Sequence, residues 1–353
     1  MLPGYGVRER EREHPLYSRQ KNEIVVGGLR INFQRTTRVP EGQLNSLPAG
    51  LGSFPLYNIK DFREGCPSDW KEEGHFMPMY PQEAMWMNFP TSLASNNPYA
   101  LIVAAGNINA VTGKQIPYKG VKGKQAETLD IRLEDQQNYL VIPPQPWLDG
   151  WKAPDDKIYQ FVAAELGSGQ TVEGQITGKE DVGGIQLAVY APKPGQDLIP
   201  KSRPHEFIES GGWGAPLLSC DFGISGSMRG SGSMRGVVAG VAEVSVMGLG
   251  RGGEIRQKIY DDPHGLKVWQ EESAGKTIVY LVSSEDFRQI TGVAPPPTPV
   301  PYGDYQKKGL PWFGLPDQGC QDTPGSDIFE KLKPVTTGKK EEEKKGKKET
   351  KKK

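Results

Sequence analysis

Residues 23–33 read EIVVGGLRINF, which is two short apolar runs on either side of the glycine pair Gly27-Gly28. After that pair, apolar and polar residues alternate with the period of two that is typical of a half-buried β-strand. Similar runs recur along the chain, mostly bounded by Gly, Pro, Asn or Asp. The further predicted strands are residues 84–89, 99–111, 139–142, 158–163, 171–177, 185–190, 237–246, 255–260, 266–269 and 277–282. This series predicts a mainly β fold, with a β-sandwich or barrel-like body and few short helices.

The composition leaves little room for long helices. The chain has 353 residues, of which 44 are glycine and 30 are proline, and both residue types disfavour a helix interior. One short helix is predicted, with Ser284 as its N-cap, Phe287 and Ile290 on one face and Gly292 at its end.

Cysteine usage and apolar patterning indicate a cytoplasmic protein. The three cysteines, Cys66, Cys220 and Cys320, are far apart and odd in number, which fits a reducing compartment better than a disulfide framework. No stretch approaches the roughly 18 to 20 apolar residues that a membrane-spanning helix needs. The N-terminus alternates Arg and Glu over residues 8–13 and has no apolar signal core.

Charge is divided unevenly along the chain. Lys+Arg and Asp+Glu are 43 each, but residues 331–353 hold eleven lysines and four glutamates, so the remainder has a net charge of −7. We expect this tail to be disordered because it has almost no apolar residues. Its lysines could contact an acidic surface such as tubulin, nucleic acid or anionic lipid, or the tail could simply keep the protein in solution.

The chain is predicted to contain one body with three appendages. A charged N-terminal arm, residues 1–21, precedes a β-rich body, residues 22–293. Within the body, residues 202–253 form a Gly/Ser-rich insertion in which Gly-Ser-Met-Arg-Gly occurs twice; it is either flexible or ordered against a neighbouring subunit. Residues 294–330 form a Pro-rich arm, which we expect to dock on the body because it carries the adjacent Trp312 and Phe313.

No cofactor is predicted. Gly248, Gly250 and Gly253 match the G-x-G-x-x-G pattern of dinucleotide-binding loops, which makes nucleotide binding the alternative. Such a loop must open a helix so that backbone amides meet the pyrophosphate. Residues 254–263 are short, compatible with a strand and ended by proline, so the required helix is not expected.

Candidate catalytic groups are few. Asp261, Asp262 and His264 lie within four residues, and Asp149 lies between Trp147 and Trp151. These groups could form part of a metal site or an acid–base pair. The other interpretation of residues 261–264 is a turn set by Asp and Pro. No zinc spacing, H-E-x-x-H or EF-hand pattern occurs, so no metal site is predicted. Cys66 is either one half of a Cys–His pair with His75 or a buried small apolar residue.

Large aromatic residues stand out more than any catalytic set. They are Trp86, Trp147, Trp151, Trp312 and Phe313. These side chains either fill the core or form an adhesive surface for a partner or for self-association. We therefore expect a non-enzymatic structural or protein-interaction protein that can self-assemble through strand edges and aromatic and proline segments. The alternative is an enzyme or small-ligand binder with a site built from separated loops.

Several ordered segments carry a resemblance to a known family. They are EIVVGGLRINF (23–33), PMYPQEAMW (78–86), QPWLDG (145–150), QFVAAELGSGQTVEGQITG (160–178), GGIQL (183–187), RQKIY (256–260), APPPTP (294–299) and GLPWF (309–313). In these the chain resembles a family of uncharacterised bacterial and fungal proteins, some of which are labelled integral membrane proteins. The resemblance implies no activity, ligand or catalytic residue, and the membrane label conflicts with the lack of an apolar span.

Overall fold

The computed structural model describes residues 19–90, 98–117, 129–196, 198, 244–315 and 319–336. Its main element is a 15-stranded sheet, so the predicted mainly β fold is confirmed. In chain order the strands are β1 Ile24–Val26, β2 Leu29–Thr36, β3 Leu44–Asn45, β4 Leu47–Pro48, β5 Tyr57–Asn58, β6 His75–Met79, β7 Ala84–Asn88, β8 Tyr99–Ala105, β9 Ile108–Asn109, β10 Leu140–Ile142, β11 Trp147–Leu148, β12 Gly150–Lys152, β13 Lys157–Glu165, β14 Ile185–Tyr190, β15 Val246–Arg256, β16 Gly275–Ser283 and β17 Trp312–Phe313. The helices are α1 Val172–Thr177, α2 Ser284–Thr291, α3 Tyr302–Lys307 and α4 Ile328–Lys331, with 3-10 turns at Ile59–Gly65 and Leu266–Val268.

The main path of the sheet follows the order β1-β2-β7-β13-β15-β16-β14-β8-β10. Neighbours along this path are antiparallel, whereas β3 pairs with β15 and β6 pairs with β16 in parallel. Within the described ranges the path does not return to its first strand, so the body is not a closed barrel. The strands β1 and β10 are therefore the two ends of the path.

One apolar core is shared by all strands of this path. The core takes side chains from every strand of the main path, from β1 to β10. Gly27, in the turn between β1 and β2, has a φ of +55°, and a Cβ on it would lie 3.0 Å from the backbone N of Gly275 in β16. A Cβ on Gly28 would lie 2.6 Å from the hydroxyl oxygen of Tyr99 in β8. The glycine pair thus lets the first hairpin pack against distant strands.

A second, aromatic cluster covers the opposite face of β16. Tyr280 stacks on Trp70 with ring centres 4.4 Å apart, and Phe287 brings α2 onto the same cluster. The N-cap of α2 is Ser283, whose hydroxyl accepts a hydrogen bond from the backbone N of Asp286 at 3.1 Å. The helix predicted here is therefore present, one residue earlier than expected at its start and ending at Gly292 as expected.

Several local predictions are wrong. Residues 172–177 form α1 instead of a strand, because Thr171 caps the helix by accepting from the backbone N of Gly174. Leu266–Val268 form a 3-10 turn instead of a strand. Residues 246–253 belong to the central strand β15, although the insertion was predicted to continue through them.

Three predicted segments fall largely outside the described part of the chain. The structure does not describe residues 1–18 of the N-terminal arm, 202–243 of the insertion and 337–353 of the lysine-rich tail. Their predicted flexibility and partners stay predictions.

The Pro-rich arm lies against the body. The Arg35 guanidinium donates a hydrogen bond to the carbonyl of Pro297 at 2.6 Å, and the Tyr80 hydroxyl donates to that of Pro296 at 2.9 Å. The Thr37 hydroxyl donates to the carbonyl of Val300 at 2.9 Å. Proline carbonyls accept but proline lacks an N–H donor, so the body supplies donors to an extended segment. The arm then continues into α3 and β17.

Candidate functional site

Three of the four predicted acid–base residues lie in the loop after β15. Oδ2 of Asp262 accepts hydrogen bonds from the Tyr139 hydroxyl at 2.7 Å and from the indole N–H of Trp269 at 2.8 Å. Oδ1 of Asp262 accepts from the backbone N of His264 at 2.8 Å. Burial, and then contact with Asp262, raises the pKa of Tyr139 above its ordinary value. Both oxygens of Asp262 are thus occupied in fixing the turn, and Asp261 is half-buried beside it.

The fourth candidate, Asp149, belongs to a different network. Its side chain is only 1% exposed, and neither carboxyl oxygen has a hydrogen-bond partner within the described residues. Burial raises the pKa of Asp149 well above its usual range, and the nearby Trp147 side chain lowers it by a smaller amount. The backbone of Asp149 is held by the Gln257 side chain at 3.0 Å and by the backbone N of Phe161 at 3.2 Å. Burial therefore favours the neutral, protonated form of this carboxyl.

A buried ion pair lies close to Asp149 in the chain and was not predicted. The ammonium of Lys152 is fully buried and lies 2.5 Å from Oδ2 of Asp322. Burial lowers the pKa of Lys152 and raises the pKa of Asp322, while their mutual attraction opposes both shifts. Oδ1 of Asp322 also accepts from the backbone N of Ile259 at 2.7 Å. The pair ties residues 170 positions apart, a separation at which sequence spacing carries no signal.

The glycines of the G-x-G-x-x-G pattern lie inside β15, not in a loop. A Cβ on Gly248 would lie 3.0 Å from the side chain that caps α1. A Cβ on Gly250 would lie 2.3 Å from Cγ2 of Val335, and one on Gly253 would lie 2.5 Å from the carbonyl of Pro40. At each of these three glycines, the absence of a Cβ lets a neighbouring segment of the chain pack directly against the strand. Because no helix follows them, the alternative prediction of a dinucleotide loop lacks its structural context.

Three of the predicted interaction residues are in the interior. Trp86, Trp147 and Trp151 are all buried. The indole N–H of Trp151 donates to the carbonyl of Gly250 at 3.1 Å, and its ring meets the edge of Phe161 at 5.1 Å. The prediction that these three tryptophans form an adhesive surface is wrong, because β7, β11 and β12 place them between packed layers.

The other two predicted interaction residues lie on a separate surface element. Trp312 and Phe313 form β17, which pairs antiparallel with β4 so that Trp312 lies opposite Pro48. This two-stranded ribbon is not part of the main sheet. Trp312 keeps 37% of its surface exposed, and Phe313 is half-buried. We call the strands β4 and β17 together with Tyr302 the aromatic ribbon.

One buried tyrosine fixes the aromatic ribbon on the body. The Tyr305 hydroxyl accepts a hydrogen bond from the backbone N of Ala49 at 2.8 Å and donates one to the carbonyl of Pro311. The Trp312 ring packs edge-on against the Tyr305 ring, with ring centres 4.9 Å apart. It is tilted against the Tyr302 ring, with ring centres 5.9 Å apart. Helix α3 thus carries one buried and one partly exposed tyrosine that together orient Trp312.

Cys66 and His75 do not form an activated nucleophile. Burial raises the pKa of the Cys66 thiol to about 11, so the thiol stays protonated near neutral pH. Burial, with smaller contributions from two lysines, lowers the pKa of His75 to about 4. Nδ1 of His75 lies 3.3 Å from the Thr277 hydroxyl. The interpretation of Cys66 as a buried apolar residue fits its place in the aromatic cluster.

A cavity of about 130 Å³ lies between the end of β9 and the loop before β10. Lys114 and Glu134 form an ion pair at its wall with a distance of 3.2 Å. The side-chain oxygen of Asn138 is buried there without a hydrogen-bond partner in the described part of the chain. None of Asp149, Asp261, Asp262 or His264 lines this cavity. A cavity of this size can hold a few waters or a small polar ligand.

Among the described residues, no three His, Cys, Asp or Glu side chains are grouped so that they could hold a metal ion. In the same ranges no helix has the length and apolarity needed to cross a membrane. No family model matches the chain, and no curated protein and no solved structure matches it significantly.

Proposed function

We propose that this protein is a non-enzymatic structural protein that associates with copies of itself through the aromatic ribbon. The observation that carries the proposal is the 37% exposure of Trp312 on a ribbon separate from the main sheet. Fully burying a large apolar side chain is worth about 1.5–3 kcal/mol, and association can gain the part of this that corresponds to the exposed surface of Trp312. Tryptophan and tyrosine are also the residues that contribute most to binding energy in protein interfaces.

The aromatic ribbon offers a preformed surface. Tyr305 holds both of its strands through hydrogen bonds to Ala49 and Pro311, so association requires little further ordering of this element. In the described residues β17 pairs only with β4. Because β4 is buried and β17 is partly exposed, we expect β17 to offer an edge to a further strand. A second copy carries the same edge, so the two ribbons can meet in a two-fold symmetric contact.

The polar groups that could support catalysis are used for structure. Asp262 fixes a turn, and Asp322 neutralises buried Lys152. Asp149 is only 1% exposed, so a substrate in solution does not reach its carboxyl. An acid–base catalyst must reach the proton that it transfers. These side chains therefore favour the structural role over the enzyme alternative.

Sedimentation velocity of the full chain over a range of concentrations tests the proposal. We expect the wild-type protein to associate as its concentration rises, and Trp312→Ser to associate more weakly. The matched control is Leu266→Ser, because Leu266 is also 37% exposed but lies outside the aromatic ribbon. A wild-type chain that stays monomeric at every concentration, or a Trp312→Ser variant that associates like wild type, would contradict the proposal.

The cavity beside Lys114 and Glu134 favours a second candidate function, which is binding of a small ligand. Its wall offers an ammonium, a carboxylate and an unpartnered amide oxygen, from Lys114, Glu134 and Asn138. A thermal-shift screen with nucleotides, sugars and divalent metals tests it, because a ligand at 100 times its Kd stabilises the folded state by about 2.7 kcal/mol. A stabilising compound must lose its effect in Glu134→Gln, and a screen without any stabilising compound rejects this candidate.

A further inference from the structure

A lysine and two carboxyl groups meet at one buried point of the fold. Lys152 ends β12, its side chain is fully buried, and its Nζ lies 2.5 Å from Oδ2 of Asp322. The carboxyl of Asp156 makes a side-chain hydrogen bond with that of Asp322. Asp156 lies in the turn between β12 and β13, so one hairpin presents both the amine and the second acid. We call Lys152, Asp156 and Asp322 the buried triad.

The backbone on both sides of the buried triad is fixed. The backbone N of Lys152 donates a hydrogen bond to the carbonyl of Ala110 at 2.7 Å, and the carbonyl of Lys152 accepts one from the backbone N of Ser326 at 3.0 Å. The residues on either side of Asp322 form two backbone hydrogen bonds with residues 259–261, of 2.9 and 3.0 Å. Groups held together in this way react as if at a very high concentration.

The turn that carries Asp156 does not by itself require a carboxyl at this position. Asp155 and Asp156 have φ values of +56° and +55°, and the backbone N of Ala153 donates to the carbonyl of Lys157 at 3.0 Å. Glycine or asparagine suits such a tight hairpin at least as well as aspartate. The contact of Asp156 with Asp322 is therefore a feature beyond the needs of the turn.

Burial favours the reactive protonation states of the buried triad. It lowers the pKa of Lys152 and raises the pKa of Asp322, and contact between the two opposes both shifts. The hydrogen bond from Asp156 raises the pKa of Asp322 further, since two carboxyls in contact hold a proton between them. An amine is a nucleophile only when neutral, and a carboxyl loses an oxygen readily only when that oxygen is protonated.

We propose that Lys152 and Asp322 join in an amide bond that the buried triad forms without any other protein, with Asp156 as the acid–base group. Nζ of Lys152 attacks Cγ of Asp322. Because Oδ2 is bonded to Cγ, Nζ starts within about 4 Å of that carbon, close to the separation of about 3–3.5 Å in a reactive arrangement. Oδ1 of Asp322 accepts a hydrogen bond from the backbone N of Ile259 at 2.7 Å, which stabilises the negative charge that develops on this oxygen.

Atoms and charges balance without a co-reactant. The ammonium of Lys152 carries three hydrogens, of which one stays on the amide nitrogen. Asp156 accepts the other two in turn and passes them to Oδ2 of Asp322. The bond between Cγ and Oδ2 breaks, and Oδ2 leaves as water. A neutral amide thereby replaces the ion pair, which removes the cost of keeping two charges buried.

The bond goes beyond the proposed self-association and does not depend on it. It forms once in each molecule and uses no external substrate, so it fits a structural protein. An exposed pair between the same two segments serves as an internal comparison, because Nζ of Lys157 lies 3.2 Å from Oε1 of Glu330. The hydrogen bond with Glu330 raises the pKa of Lys157, which keeps this amine protonated. We expect no amide bond there.

The mass of the denatured full-length chain tests the proposal. We expect wild type to be lighter than its sequence by one water, and Lys152→Met and Asp322→Ala to show no such deficit. Trypsin should release residues 133–157 joined to residues 309–331, because an amide at Lys152 prevents cleavage there while Lys157 is still cleaved. Loss of the ion pair alone destabilises Asp322→Ala, so the mass and not the stability identifies the bond.

The role of Asp156 is tested by the rate at which the bond forms. Mass spectra of samples taken at intervals after synthesis begins give the linked fraction. Asp156→Asn should form the bond about 100-fold more slowly than wild type, which is the lower end of the contribution of a general acid–base group. The matched control is Asp155→Asn, because Asp155 is exposed in the same turn; it should react like wild type. If Asp156→Asn does not unfold cooperatively, Asp156→Ser replaces it.

The contrary outcomes are equally distinct. A wild-type chain with the full mass of its sequence overturns the proposal, whether or not any variant folds. Loss of one water without the branched fragment also overturns it, because a succinimide at Asp149-Gly150 has the same mass. A branch at Lys157 instead of Lys152 rejects the buried triad as the reactive group. Equal rates for wild type and Asp156→Asn reject Asp156 as the acid–base group.

Discussion

Residues 145–152 and residues 309–313 are both short, tryptophan-bearing segments with proline, yet one lies in the core and the other on the surface. In the first, Trp151 is fully enclosed and hydrogen-bonded to β15. In the second, Trp312 is 37% exposed on a ribbon with one partner strand. The first segment forms β11 and β12, which pair with β7 and β13 in the main sheet. Neighbouring strands, not composition, decide where the aromatic rings lie.

The largest expected loss of stability comes from removing the Trp151 ring from the interior segment, residues 145–152. Trp151→Ala should lower the free energy of unfolding by about 3–5 kcal/mol, because it leaves a cavity beside Phe161 and Phe329. Urea denaturation followed by circular dichroism measures this loss. A loss below about 1 kcal/mol would show that the enclosed ring contributes no more than a surface residue.

The next largest loss of stability is expected at the ion pair between Lys152 of the interior segment and Asp322, which follows the aromatic ribbon in the sequence. Asp322→Ala should cost about 3 kcal/mol, because it leaves the buried ammonium of Lys152 without its partner. The double variant Lys152→Met with Asp322→Ala should regain part of that stability, since no charge remains buried. Equal stabilities of the single and double variants in urea denaturation would contradict a buried charge penalty.

A smaller, pH-dependent effect comes from Asp149. Its folded-state pKa is raised by burial, so its contribution to stability is complete below the unfolded pKa of about 3.9 and decreases as the pH rises toward the folded pKa. The slope reaches about 1.4 kcal/mol per pH unit. Asp149→Asn should therefore gain stability relative to wild type as the pH rises above about 4. Exposed Asp135→Asn serves as control, and parallel pH profiles for wild type and Asp149→Asn would disprove the expectation.

The smallest effect on stability is expected at the surface segment. Trp312→Ala should change the free energy of unfolding by about 1 kcal/mol or less, because its ring is partly exposed and loses only the contacts with Tyr302 and Tyr305. The same denaturation experiment measures it beside Trp151→Ala. A loss as large as that of the interior variant would remove the contrast between the two segments.

Much of the sheet could be predicted because alternation of apolar residues is a local signal. Residues 23–33 show it, and they form β1 and β2. The cap and glycine stop of α2 are local signals as well. The helix α1 was missed because its apolar residues fit a strand equally well, and only the capping of Thr171 decides between the two.

The candidate site was harder to predict because burial depends on distant segments. Trp151 and Trp312 each lie on a strand with one partner strand, but only the strand of Trp151 belongs to the main sheet. Gly250 resembled part of a nucleotide loop, but its role is to admit Val335, which lies 85 residues later. The partners of Gln170 and Gln175 are also at the far end of the chain.

The contact between Gly27 and Gly275 has a consequence for biosynthesis. A ribosome that adds about 5–20 residues per second needs roughly 10–50 s to travel from the first of these glycines to the second. During that interval the first hairpin has no β16 to pack against, and its apolar side chains face water or a chaperone. The apolar core that these strands share can therefore pack fully only after about three quarters of the polypeptide has emerged.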